Sequence, residues 1–158
     1  MSGGVATADS ESETREIRFE YANENRQATI NLGGTGVAIL TFLLVFLYAK
    51  YNDAGWDSLL YRLTLASVVF SIFFLGVSGS YYYFLIEALE LKRTDTAGFL
   101  AVADATFVAG LALLLLEPAL ILFTLRIFDI GGISVALWAI SLVVIVRGRR
   151  RFRSTARA

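Results

Sequence analysis

The sequence contains no histidine and no cysteine among its 158 residues, and only one proline. Without cysteine there is no disulfide bond, no catalytic thiol and no Cys/His zinc site, and without histidine there is no imidazole acid–base catalyst. Aspartate and glutamate alone could still bind a metal ion, but the acids do not cluster at a ligand-like spacing. We therefore predict no metal site, no cofactor and no enzymatic activity.

Charged residues are also scarce. They make up 18% of the chain, whereas hydrophobic residues make up 56% and the mean hydropathy is +0.63. Soluble globular domains usually contain about 25% charged residues. A chain this apolar cannot hide its hydrophobic surface from water, so we predict an integral membrane protein. The preference for arginine over lysine suggests a GC-rich prokaryotic genome.

Four long apolar segments occupy residues 32–146. Each approaches the roughly 20 residues that a spanning helix needs, and none shows the two-residue alternation of barrel strands. Because lipid permits only helices or closed barrels, we predict an all-α integral membrane protein with four transmembrane helices in an up-down bundle. The helices are expected at about 32–49, 58–92, 96–126 and 130–146.

The flanking segments are polar. Residues 1–14 are small and acidic, which predicts disorder, and no secretory signal peptide is recognisable. Residues 15–31 place Ile17, Tyr21 and Ala28 on one helical face, which predicts either a short amphipathic helix at the membrane surface or a solvated helical extension. Residues 147–158 form a basic tail.

The distribution of basic residues predicts the orientation. Most arginines fall near the two termini and in the turn around residue 93, and few fall in the two opposite loops. Under the positive-inside rule both termini are cytoplasmic, and the protein is a multi-pass protein of the cytoplasmic membrane. We assign topology and contact with anionic lipid headgroups, rather than nucleic-acid binding, to five tail residues: Arg147, Arg149, Arg150, Arg151 and Arg153.

Glu117 and Pro118 interrupt the apolar run LALLLLEPALILF. If the long hairpin turns between Thr94 and Asp95, Glu117 lies level with Ile72, about 15 Å from each surface of a hydrocarbon core about 30 Å thick. A charge at this depth is costly, so such residues often mark ion pathways. Pro118 removes a backbone donor and is expected to kink the helix.

Hydroxyl groups are predicted to surround Glu117. Thr41, Ser71 and Ser141 come from the other three helices at a similar depth, and together with Glu117 and Pro118 they form a candidate ion or proton site. The alternative is a structural glutamate that holds helices together. Asp104 lies near the inner headgroups, where we expect a water-exposed interfacial carboxylate.

Small residues form two stripes. Ala97, Ala101, Ala105 and Ala109 recur at every fourth position of the third segment, and the second segment carries Thr64, Ser67, Ser71, Ser78 and Gly79. Such stripes let helices approach closely, and we expect mainly contacts within the chain, with an oligomer interface as the alternative.

Two classes of function follow. One is a transport or channel component that uses Glu117, which implies a homo-oligomer or a larger complex because four helices leave little room for a pathway. The other is a non-transporting scaffold, assembly or sensor subunit. A water-lined Glu117 would favour the first, and a dry, hydrogen-bonded Glu117 with an exposed small-residue face would favour the second.

Overall fold

The computed structural model describes the backbone of residues 4–51, 56–91 and 96–155, and these ranges are helical apart from short turns. Four helical segments are long and apolar enough to cross a membrane: Glu13–Leu47, Leu59–Glu90, Ala97–Thr124 and Phe128–Arg149. The described residues contain no strand. The prediction of an all-helical chain with four helices of membrane-spanning length is therefore confirmed.

Helix α1 (Gly4–Phe42) continues into a π-helical segment (Leu43–Leu47) and a last turn, α2 (Tyr48–Tyr51). No break separates the predicted surface helix over 15–31 from the first span, and residues 4–14, where we expected disorder, continue the helix; residues 1–3 lie outside the described ranges. At 1.5 Å per residue α1 is about 58 Å long, about twice the thickness of a hydrocarbon core. Its charged N-terminal half must therefore extend beyond that core.

The π-helical segment has a specific hydrogen-bond partner. A π-helix bonds residue i to i+5, so a local insertion of this geometry disturbs the regular pairing of backbone groups. The Tyr61 side chain is 1% exposed, and its hydroxyl donates to the carbonyl oxygen of Leu43 at 2.8 Å. The altered helix thus supplies an acceptor for a buried phenol.

Helices α3 (Trp56–Glu90) and α4 (Ala97–Thr124) form the central hairpin, and α3 also packs along α1. The two hairpin helices approach closely at Gly110, where a Cβ atom would lie 2.8 Å from Leu75 Cγ and 3.1 Å from the backbone oxygen of Ser71. Such distances are too short for any side chain, so this crossing requires glycine.

The alanine stripe of α4 does not make the contacts that we expected. Ala97, Ala101 and Ala105 are exposed and Ala109 is half-buried, whereas Ala103, Phe107 and Leu114 are buried. The face of α4 that meets α3 therefore carries Ala103, Gly110 and Glu117 rather than the alanine stripe. The expectation that this stripe packs within the chain was wrong.

Helix α4 ends in a Schellman motif. The N–H of Ile127 donates to the carbonyl oxygen of Leu122 at 2.9 Å, and the N–H of Arg126 donates to that of Phe123 at 3.0 Å. Arg126 has φ 62°, the left-handed conformation usually taken by glycine, which costs an L-residue roughly 1 kcal/mol. The motif reverses the chain into the last helix within a few residues.

Helix α5 (Phe128–Thr155) packs on α4 and lies at the edge of the helical bundle. Only 6% of the most apolar stretch of α5 is buried within the chain. The Trp138 indole Nε1 on this helix donates to the carbonyl oxygen of Ala112 at 2.7 Å. The helix continues beyond residue 146, so much of the predicted tail belongs to it. The side chains of Arg150, Arg151 and Arg153 lie outside the described residues.

Candidate functional site

Two acidic side chains of α4 are buried. Glu117 is 0% exposed and Asp104 is 2% exposed. They lie about 20 Å apart along the helix axis, at the helical rise of 1.5 Å per residue. A buried carboxyl group needs hydrogen bonds or an opposite charge to offset the loss of water, so its partners define what each position can do.

Glu117 lies in the interface between α3 and α4. The Ser67 hydroxyl donates to Oε1, and Oε2 has no hydrogen-bond partner among the described residues. Glu117 is not among the residues that line the clefts between α1 and α3, beside Phe99 and beside Phe19. The carboxyl group is therefore enclosed by the described part of the chain and hydrogen-bonded there through one oxygen only.

The hydroxyl partner of Glu117 is not one of those predicted. Ser71 lies one turn further along α3 and donates to the carbonyl oxygen of Gly110 at 2.8 Å, and Thr41 is exposed and donates to Val37 of its own helix at 2.9 Å. Ser141 is half-buried on α5. Ser67 belongs to the polar stripe of the second segment, but the assumed hairpin register placed Ile72 opposite Glu117.

Pro118 lies inside α4, which continues through it to Thr124. The proline ring is exposed, while Glu117 on the preceding position is fully buried. Pro118 cannot donate to the carbonyl oxygen of Leu114, and this carbonyl lies one turn from the buried carboxyl group. The pair thus combines a buried acid with a locally weakened helix.

A line of hydroxyl groups connects α3 to α4, as the polar stripe predicted. Thr64, Ser71 and Ser78 are each 0% exposed. Thr64 Oγ1 lies 3.5 Å from that of Thr124, and Ser78 donates to the carbonyl oxygen of Ala103 at 2.9 Å. Interhelical hydrogen bonds in membranes contribute about 0.6 kcal/mol each on average. The Ser67–Glu117 bond is therefore one member of a seam that holds the hairpin together.

Asp104 forms the centre of a second polar cluster. Its Oδ1 atom accepts hydrogen bonds from the Tyr82 hydroxyl at 2.6 Å, from the Tyr21 hydroxyl at 3.0 Å and from Arg149 at 2.8 Å. The other guanidinium nitrogen of Arg149 donates to Asn25 Oδ1 at 2.7 Å. We call these five residues the Asp104 network; they come from α1, α3, α4 and α5.

The Arg149 guanidinium also lies over an aromatic ring. Its central carbon is 4.1 Å from the centroid of the Phe107 ring, a distance that permits a strong cation–π interaction. Arg149 thus contacts the Asp104 carboxylate at 2.8 Å, the Asn25 side-chain amide and the Phe107 ring. This geometry joins the peripheral helix α5 to the other three helices at one end of the bundle.

Two predictions fail at this cluster. The expected water-exposed carboxylate at Asp104 is buried, and Arg149, which we assigned to topology and lipid contact in a basic tail, is 16% exposed and pairs with it. Both errors have one cause, because Tyr21, Tyr82 and Arg149, which bond Asp104, are distant from it in sequence. Arg147, two residues earlier on α5, is exposed.

No group of three or more histidine, cysteine or acidic side chains that could hold a metal ion exists in the described part of the chain. Protein-family models, curated proteins and solved structures all give no match to this sequence. The features of the chain that bear on its function are therefore Glu117, the Asp104 network and the exposed helix faces.

Proposed function

We propose that this protein is a non-transporting membrane subunit that acts in assembly or as a scaffold. The observation that supports this best is the environment of Glu117, which is fully buried, bonded to Ser67 and outside the three clefts described above. A working ion site needs a path for water or ions to reach the carboxyl group. A buried glutamate that joins two helices through a hydrogen bond is what a structural role requires.

The exposed face of α4 provides the partner surface in this proposal. Ala97, Ala101 and Ala105 lie one turn apart on the outside of the chain, so another helix can approach their backbone closely. Lipid tails gain no comparable packing against such a flat face. We propose that this stripe packs against a second copy of the chain or against a helix of a larger membrane complex.

We further propose that both termini face the cytoplasm of a prokaryotic cell. The basic residues support this, since Arg15, Arg18 and Arg26 precede the first apolar run and the last arginines follow the fourth. The sequence has no cysteine, so a single cysteine introduced at position 13 or 147 is the only reactive thiol of the protein. In intact cells we expect a membrane-impermeant maleimide to leave this cysteine unlabelled. Labelling by a membrane-impermeant maleimide would contradict this orientation.

Flux and oligomeric state test the function together. We would reconstitute the wild type and Glu117→Gln in liposomes, apply proton and cation gradients, and expect no flux from either protein. In mild detergent, light scattering should detect an oligomer that Ala101→Leu dissociates and that Val102→Leu, a change at an exposed neighbour, leaves intact. A monomeric wild type would contradict the proposed self-assembly.

Proton or cation handling is the second candidate, and the unpartnered Oε2 atom of Glu117 favours it. Buried polar atoms in proteins are nearly always satisfied, so such an atom is where a transported ion or proton would bind. Flux in the wild type that Glu117→Gln abolishes, with both proteins equally folded, would replace the scaffold proposal by this one.

A further inference from the structure

A cleft of about 610 Å³ lies between α1 and α3. Its volume is within the range of about 300–1,000 Å³ that is typical of ligand sites. Polar groups occur at one end, where Arg26, Ser80 and Tyr83 line it, and apolar or glycine residues such as Gly33, Val37 and Gly76 line the rest. The cleft is therefore amphipathic along its length.

Arg26 gives the polar end a positive charge. Its guanidinium carbon lies 5.7 Å from the centroid of the Tyr83 ring, and Arg26 forms no ion pair with an acid among the described residues. It differs in this respect from Arg149, whose charge is matched by Asp104. Because Arg26 follows Asn25, which binds Arg149, the polar end of the cleft lies level with the Asp104 network.

The floor of the cleft is open because it is made of glycine. A Cβ atom added at Gly33 or at Gly76 would meet nothing within 4 Å, so each position leaves unfilled space against the helix backbone. At Gly36 the situation is the opposite, since a Cβ atom there would lie 2.8 Å from Cγ1 of Ile72. The two helices therefore meet at Gly36, and the space between them narrows.

The length of the cleft matches one leaflet of a bilayer. From Arg26 to Val37 α1 rises about 16 Å, and half of a hydrocarbon core measures about 15 Å. A transmembrane helix of a partner would need a groove about twice as long. An acyl chain that begins at a headgroup beside Arg26 would end near the bilayer centre, beside Val37 and Ile72.

We propose that this cleft binds one anionic phospholipid, with its phosphate at Arg26 and one acyl chain along Gly33 and Gly76. Three features select this ligand: a cation that forms no ion pair among the described residues, a wall that is apolar beyond its first turn, and a length of one leaflet. The site is separate from the α4 stripe of the proposed function. It also does not involve the arginines at the end of α5.

Native mass spectrometry of the purified full chain tests the proposal. The protein is first equilibrated with bilayers of equal parts phosphatidylglycerol and phosphatidylcholine, and the lipid retained per chain is counted. We expect retention of one phosphatidylglycerol. Arg26→Gln should lower retention about fivefold, which corresponds to roughly 1 kcal/mol for one basic residue near an anionic surface, and Arg26→Lys should largely preserve it.

Gly76→Leu tests the acyl end, since its Cβ atom would meet nothing within 4 Å and its side chain would occupy the open floor, and it should also lower retention. The matched controls are Gly132→Leu, which is equally unobstructed on α5, and Arg62→Gln, which removes an exposed arginine from the opposite end of α3. Both controls should retain lipid like the wild type. Equal loss in a control would overturn the site.

Two further results would also overturn the proposal. One is equal retention of both lipids by the wild type, which would show that Arg26 does not select charge. The other is efficient disulfide formation between chains that carry Gly76→Cys, which would show that a second copy covers the cleft. Because the chain has no other cysteine, that crosslink would have a single interpretation.

Discussion

Replacing Arg149 by methionine should destabilise the fold far more than its position near the C-terminus suggests. The substitution keeps an unbranched apolar stem but removes the charge that faces Asp104 at 2.8 Å. Removing one partner of a buried ion pair typically costs about 3–5 kcal/mol, because the other charge is left without compensation. The hydroxyls of Tyr21 and Tyr82 still donate to Asp104, so we expect the lower end, about 3 kcal/mol.

A double-mutant cycle separates the ion pair from other effects of the substitution. Asp104→Asn alone should also destabilise, since the arginine then lacks its counter-charge. In the double variant neither charge remains, and a buried pair replaced on both sides is often close to neutral. We therefore expect the two losses to be non-additive by about 2 kcal/mol or more, a coupling within the range for residues in direct contact.

The assay is reversible unfolding in detergent micelles, followed by circular dichroism of the helical signal. Arg147→Met is the control, because Arg147 lies two residues away on the same helix and is exposed. Its free energy of unfolding should stay within about 0.5 kcal/mol of the wild type. An Arg149→Met variant as stable as this control, or simply additive losses in the cycle, would refute a stabilising ion pair between Arg149 and Asp104.

The same assay checks three smaller effects. Gly110→Ala should cost roughly 1–3 kcal/mol because its Cβ atom meets Leu75 at 2.8 Å, whereas Gly132→Ala, with nothing within 4 Å, should cost nothing; equal effects would refute the close crossing. Ser67→Ala should cost about 1–3 kcal/mol, since it leaves both oxygens of Glu117 unpaired, and an unchanged stability would contradict that bond. Tyr61→Phe should cost about 1 kcal/mol through the lost bond to the π-helical segment, and no loss would show that water replaces it.

Glu117 shows how far sequence reasoning reached at the candidate site. Its burial was predictable, because a single acid within a leucine-rich span must avoid lipid. Its partner was not, because Ser67 and Ser71 are one turn apart on the same face of α3. A displacement of one turn, about 5 Å, between two helices exchanges one serine for the other, and no local pattern specifies that displacement.

Asp104 and Arg149 show the larger limit. Each resembles an ordinary polar residue at the end of an apolar run, and nothing in either neighbourhood indicates the other, 45 positions away. The exposed alanines of α4 show the same limit. A stripe of small residues predicts that another helix can pack closely, but it does not predict which helix does so. The three-dimensional positions of the partners had to be known.

The sequence by itself determined that the chain is helical, that four helices are long and apolar enough to span a membrane, and that histidine- and cysteine-based chemistry is impossible. These properties follow from composition and from the hydropathy of consecutive residues, so they do not depend on how the helices pack. Only the tertiary structure decided which acid each hydroxyl bonds, which arginine pairs with Asp104 and which face of α4 remains open. Those outcomes depend on the rotation and displacement of packed helices, and each residue along a helix turns its side chain by about 100°.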